Sequence, residues 1–196
     1  MKIFFLFFFI VVTMKTEDLF AQIKPTSDTI PENGIYMTYQ DFLTHKISQG
    51  FDKKDEGYKI KLPKLYIVKI TTPVSTTRID LRDVWGFRKN REDWIYKNKE
   101  LYQVLNHDGI WIYSQIVLGG EGGNDTYYYF SKTATSEIIW LSRKKIREAY
   151  SNDSDFLSAL NLLKWYQPID SNIPPNGQMR VVELYNICHR LKLRNL

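Results

Sequence analysis

Three histidines and one cysteine carry most of the nucleophilic and metal-ligating chemistry open to this 196-residue chain. His45, His107 and His189 are far apart in sequence, and none has a second His or Cys at ligand spacing on one predicted element, so no metal site is assigned. Cys188 and His189 are neighbours on a predicted helix. Their side chains point about 100° apart there, which excludes a facing Cys–His catalytic pair. Cys188 is read instead as a small buried hydrophobe. The stretch Gly119-Gly120-Glu121-Gly122-Gly123-Asn124-Asp125 is the obvious loop of glycines. A phosphate cradle needs a Lys-Ser/Thr and a helix after the glycines. Thr126-Tyr127-Tyr128-Tyr129 is strand-like, so the stretch reads as a hairpin loop with scope to gate a ligand.

Ser142-Arg143-Lys144-Lys145 matches S-x-x-K, but its companion motifs are absent from the chain. The acidic pairs Asp80/Asp83 and Glu92/Asp93 supply the residue type of a glycosidase, whose two carboxylates must face each other across a cleft. Sequence spacing gives no such geometry, and solvated strand edges are the simpler reading. The two Asn-x-Ser/Thr matches, at Asn124 and Asn152, are what composition alone supplies. No catalytic residue and no cofactor are assigned.

Binding chemistry is better represented. Arg143, Lys144, Lys145 and Arg147 crowd a predicted helix start, where the macrodipole disfavours cations. An anionic partner would account for them, and Lys59, Lys61, Lys64 and Lys69 extend the basic character. Among the strand tryptophans, Trp85 and Trp111 have apolar neighbours and are assigned to the core. Trp94 and Tyr96 flank a charged turn and are expected to be exposed. The candidate ligand-binding residues are therefore Trp94, Tyr96, Arg143, Lys144, Lys145 and Arg147.

The elements that must position these residues follow from local pattern. Gly34 to Met37 reads as a short strand. Thr38 and Asp41 form a capping box that starts a short helix, Tyr39 to about His45. Residues 48–63 are polar and contain Gly, and are expected to form a loop. From Lys64 the period becomes two, with Tyr66, Val68 and Ile70 on one face. Strands follow at Asp83 to Lys89, Asp93 to Tyr96, Lys99 to Leu105, Ile110 to Leu118, Thr126 to Ser131 and Ser136 to Leu141. Lys97-Asn98 and Asn106-His107-Asp108-Gly109 are turns between them. Ile110 to Leu118 is apolar on both faces and belongs near the middle of a sheet. Ser142 caps one helix to about Tyr150 and Asp153 caps another to about Tyr166. Met179 to about Leu193 carries an apolar stripe of Val181, Leu184, Tyr185, Cys188 and Leu191. The class is α+β: an antiparallel β-meander of about six to eight strands, then two to three C-terminal helices packed on the sheet.

Lys2 followed by Ile3 to Val12, an apolar run of about 12 residues when counted to Met14, has the charge and length of a secretory signal peptide against the roughly 20 residues of a membrane span. Cleavage after Ala21 is expected. It leaves a leader at 22–33, a single domain at 34–196, a net charge of +5 and no transmembrane segment. Six of the 11 Phe depart, so five Trp and thirteen Tyr dominate the aromatic content. One Cys excludes a disulfide framework, and 43% apolar with 25% charged residues excludes a disordered chain.

In order, Gly34-Ile35-Tyr36-Met37-Thr38-Tyr39-Gln40-Asp41-Phe42, Val84-Trp85-Gly86-Phe87, Trp94-Ile95-Tyr96 with Tyr102, and Leu184-Tyr185-Asn186 resemble a family of uncharacterised secreted proteins of Bacteroidetes-type bacteria. The resemblance spans most of 34–190. It implies export from a Gram-negative cell and carries no catalytic residues. Together these features describe an exported binding or interaction module of the periplasm or cell surface. Its expected partner is an anionic glycan, lipopolysaccharide or an acidic protein, not a nucleic acid. A hydrolase with an unrecognised carboxylate or hydroxyl site, and a structural or assembly accessory protein, are the alternatives.

Overall fold

Five consecutive strands pair antiparallel in chain order: β6 (Gly86–Lys89), β7 (Glu92–Lys97), β8 (Glu100–Asn106), β9 (Trp111–Leu118) and β10 (Asn124–Ser131). In the computed structural model, which describes residues 30–57, 59–64, 66–118, 124–164, 167–173 and 178–194, they are the centre of an antiparallel sheet. Two short strands, β1 (Asn33–Tyr36) and β2 (Ser48–Phe51), extend it beyond β6. The two-residue β11 (Ile139–Trp140) closes the other edge, in the order β11-β10-β9-β8-β7-β6-β1-β2. The expected signal peptide and Gly119 to Gly123 lie outside the described residues.

The tight turns explain the register. Asn90-Arg91 and Asn98-Lys99 all have positive φ, between 53° and 70°, the backbone of a two-residue hairpin loop whose twist matches its strands. The second turn sits one residue later than the Lys97-Asn98 reading. Gly109 takes φ 76° in the turn before β9.

Two corrections concern residues 48–82. The polar stretch read as a loop contains β2 and β3 (Lys59–Lys64). An unread strand, β5 (Thr76–Asp80), pairs with β4 (Ile67–Thr71) to complete a separate three-stranded sheet. Lysines masked the alternation of β3, and β5 has only one apolar residue, Ile79. The expected strand from Ser136 to Leu141 shrinks to β11. The turn expected after β10 extends to Ser136, whose carbonyl accepts from Lys97 Nζ at 2.5 Å.

Helix starts follow the caps. Thr38 and Asp41 make a reciprocal capping box on α1 (Tyr39–Leu43). Ser142 caps α2 (Arg143–Ala149), and Asp153 caps α3 (Ser154–Leu162). A two-residue hairpin, β12 (Asn172–Ile173) with β13 (Gln178–Met179), precedes α4 (Arg180–Arg194). Among the described residues no helix is long and apolar enough to cross a membrane.

The large sheet has two differently covered faces. On one, Ile35, Phe87 and Trp94 pack with Ile60, Val68, Ile70 and Leu81 of the small sheet and its flank. Further along that face, Ile112 and Phe130 pack with Ile146, Phe156, Leu160 and Val181 of the helices. On the opposite face α1 and the segment before β11 cover Tyr36, Ile95, Tyr102, Trp111 and Tyr113. Phe42 stacks on Trp85 there at 4.2 Å, and Trp111 is buried while Trp85 is half-buried.

Gly86 is closely packed against β7, since a Cβ there would overlap the carbonyl oxygen of Trp94 on the paired strand. Gly86→Ala is expected to lower stability by about 1–3 kcal/mol in urea unfolding. An unchanged midpoint would show that β6 and β7 can separate without cost.

Candidate functional site

The basic cluster of α2 is largely engaged by the fold itself. The guanidinium of Arg143 donates to the carbonyls of Leu163 at 3.1 Å, Lys164 at 2.6 Å and Gln167. These groups follow the last turn of α3, where orphan carbonyls and the negative helix pole favour a cation. α3 stops at Leu162, short of the expected Tyr166, with Leu163 in extended backbone. Lys145 pairs with Glu148 at 3.0 Å, and Arg147 donates to the Asn161 side chain at 2.7 Å. Lys144, exposed like Lys145 and Arg147, is the one of the four with no side-chain hydrogen bond or ion pair among the described residues.

Trp94 corrects the reading of an exposed aromatic. It is 7% exposed and stacks at 11° on Phe87 in the core between the two sheets. The covering sheet is built from residues remote in sequence, which the local charged turn could not reveal. Tyr96 is half-buried and packs on Tyr66 at 6.4 Å. Trp94 and Tyr96 therefore belong with the small sheet, not with the helical residues of α2.

The small sheet supplies the free charge. Its inner face buries Ile60, Val68 and Ile70. Alternation then sends Lys59 and Lys61 of β3, Lys69 of β4 and Arg78 of β5 outward, and all four are exposed. Register places Lys61 opposite Lys69, and Lys69 opposite Arg78. Three cations thus stand in a row across three strands at the usual spacing of about 4.8 Å. Like charges directly opposite one another destabilise a sheet. Among the described residues none of the four cations makes an ion pair. Asp80, also on this face, is taken by Arg82, whose guanidinium donates to both its oxygens and holds its carboxyl below the usual aspartate range. Arg82 also lies over the Tyr66 ring at 4.0 Å. Lys59, Lys61 and Lys69 were legible as an extension of basic character. Arg78 was missed because β5 was.

One buried ionic group lies on the other face of the large sheet. The Tyr36 hydroxyl donates to Asp93 Oδ1 at 2.9 Å and accepts from Arg88 at 3.1 Å, while Arg88 reaches the Asp93 oxygens only at 3.3 and 3.4 Å. Burial raises the Asp93 carboxyl above the usual aspartate range. The Arg88 charge, the Tyr36 hydrogen bond and the charges of nearby His45 and His107 oppose this without overcoming it. Among the described residues Arg88 Nε and His45 Nδ1 find no hydrogen-bond partner although both are buried. Glu92 precedes Asp93 on the strand, so the two carboxylates point to opposite faces and form no glycosidase pair.

On α4, His189 stacks on Tyr185 at 3.9 Å, and its ring nitrogens face the Tyr185 carbonyl at 2.8 Å and Asp153 Oδ2 at 3.1 Å. Cys188 Sγ donates to the Asp155 carbonyl at 3.7 Å, so it is half-buried and also hydrogen-bonded. Both residues tie α4 to the start of α3. Among the described residues no group of three His, Cys, Asp or Glu side chains is placed to hold a metal.

Arg143→Ala removes the guanidinium that joins α2 to the Leu163, Lys164 and Gln167 carbonyls and is expected to cost about 1–3 kcal/mol in thermal unfolding; unchanged stability would free Arg143 for a ligand. Asp93 gives a pH signature. A carboxyl raised in the fold stabilises it at low pH, and that contribution is lost as pH rises from 3.8, the ordinary value, through the folded one. Asp93→Asn is therefore expected to match the parent protein below pH 3.8 and to become the more stable of the two towards neutrality. A parent protein more stable than the variant at neutral pH would mean that the Arg88 contact outweighs burial.

No protein-family model matches the chain, and no curated protein or solved structure matches it, so its function is read from the chemistry of these surfaces.

Proposed function

We propose that the protein is a binding module, exported by its N-terminal segment, that holds an anionic glycan such as the phosphate- and carboxylate-bearing saccharides of lipopolysaccharide across its small sheet. The observation that carries this reading is the row Lys61–Lys69–Arg78, three adjacent cations with no carboxylate among them. The repulsion within the row is an intrinsic cost, and a polyanion of matching charge spacing relieves it. A sheet is a rigid base, so the charges are held in place before the ligand arrives and little order is lost on binding. The resemblance to secreted bacterial proteins and the expected signal peptide put an envelope saccharide within reach and make a nucleic acid an unsuitable partner.

The hydrolase reading has a specific observation in its favour, the raised carboxyl of Asp93 beside Tyr36 and Arg88. It lacks a second carboxylate or an activated nucleophile, and the same contacts are what a buried strand carboxylate needs to be tolerated.

Lys69 sits between two cations, so Lys69→Glu converts two repulsive cross-strand pairs into attractive ones. The variant is expected to gain some tenths of a kcal/mol in stability. It is also expected to lose about tenfold in affinity for lipopolysaccharide by calorimetry at low salt, a difference that shrinks as salt is raised. A variant that binds as tightly as the parent protein overturns the assignment of this face.

A further inference from the structure

We infer that the end of the large sheet's other face that the described residues leave uncovered is a second, independent site that binds the rings of an uncharged oligosaccharide. Trp140 on the edge strand β11 is 49% exposed. It lies 5.2 Å from the Tyr127 ring and 5.5 Å from Tyr129, which contacts Tyr102 at 5.3 Å. Register sets Tyr129 against Trp140 and Tyr127 against Gln115, so these side chains share one face. Three partly exposed rings, Trp140, Tyr127 and Tyr129, thus adjoin one another on β11 and β10, and Tyr129 leads inward to the buried Tyr102 of β8. The cover formed by α1 and the segment before β11 reaches Tyr102 and Tyr113, and Trp140 lies beyond it.

Polar groups thread the same surface. The Tyr129 hydroxyl donates to Gln115 Oε1 at 3.0 Å, and Gln115 Nε2 donates to Glu100 Oε2 at 2.6 Å. Glu100 is exposed. From β11 to β8 the surface crosses three interstrand gaps of about 4.8 Å each, room for a chain of rings instead of a single one.

The mixture decides the occupant. A purely apolar partner would strip water from Glu100 and Gln115 and return no hydrogen bond. A polyanion meets Glu100 and the exposed Asp125, both negative. A pyranose ring fits both halves: its C–H face lies on an indole or phenol ring, and its hydroxyls donate to Glu100 and exchange hydrogen bonds with Gln115. Mostly aromatic lining with a few placed polar groups is the usual composition of a small-ligand surface.

The test uses maltohexaose, cellohexaose and xylohexaose as probes, with calorimetry and tryptophan fluorescence at high salt, where the cationic face is screened. At least one hexasaccharide is expected to bind. Trp140→Ala is expected to lower that affinity at least about tenfold and to leave the thermal midpoint close to the parent's, since its ring is half in solvent. Tyr127→Phe, which keeps the ring, is expected to bind as the parent does. Lys69→Glu is expected to leave this binding unchanged, so failure at one site is distinguishable from failure at the other. Absence of binding by all three sugars, unchanged binding by Trp140→Ala, or loss of lipopolysaccharide in place of hexasaccharide binding in that variant would each overturn the inference.

Discussion

An eight-stranded antiparallel sheet has two faces to cover, and the covering elements among the described residues do not suffice for both. That shortage organises the rest of the molecule. The small sheet and the C-terminal helices share one face, meeting it at Ile35, Phe87 and Trp94 and at Ile112 and Phe130 respectively. Among the described residues the opposite face receives only the five-residue α1 and the turns before β11. Where cover ends, the side chains change from Tyr36 and Tyr113, which are fully buried, to Trp140 and Gln115, which are not. The covering sheet must itself present an outer face to solvent, and there the chain places lysine and arginine.

The same residue type therefore meets opposite fates according to what the fold brings against it. Arg143 stands at the start of α2, an unfavourable position for a cation, and is matched by carbonyls some 20 residues further along the chain. Lys61, Lys69 and Arg78 stand in a geometry just as unfavourable, and nothing among the described residues matches them. A charge that the fold satisfies is structure. A row of charges that it leaves facing one another marks where an anion is wanted.

Legibility in the sequence tracks how local each signal is. Thr38 with Asp41, Ser142, Asp153 and Gly109 act within four residues of themselves, and each sits where the pattern placed it. The α+β order of meander and then helices was legible for the same reason, since alternation and helical stripes are short-range. Trp94 was not, because its burial depends on a sheet whose strands could not be seen: β3 alternates lysine with apolar residues, and β5 shows the core little beyond Ile79. Arg143 was read as free because its acceptors are remote in sequence. The aromatic surface went unnoticed because Tyr127, Tyr129 and Trp140 are ordinary strand residues until the lack of a cover above them is known.

The two surfaces also differ in what holds them. The cationic row stands on a three-stranded sheet that owes its stability to the inner cluster around Val68 and Ile70. Its charges add nothing to that cluster, so they can be exchanged without loss of fold. The aromatic surface is continuous with the core beneath α1 through Tyr102, and only its outer end is free of structural duty. Topology puts the small sheet over β1, β6 and β7 on one face and Trp140 at the β11 edge on the other. A single ligand segment cannot lie on both, and neither surface needs the other to form. A glycan bearing charged and neutral stretches would meet the protein at two separate points. Its affinity would then depend on whether the chain between those points is long enough to pass around the edge of the sheet.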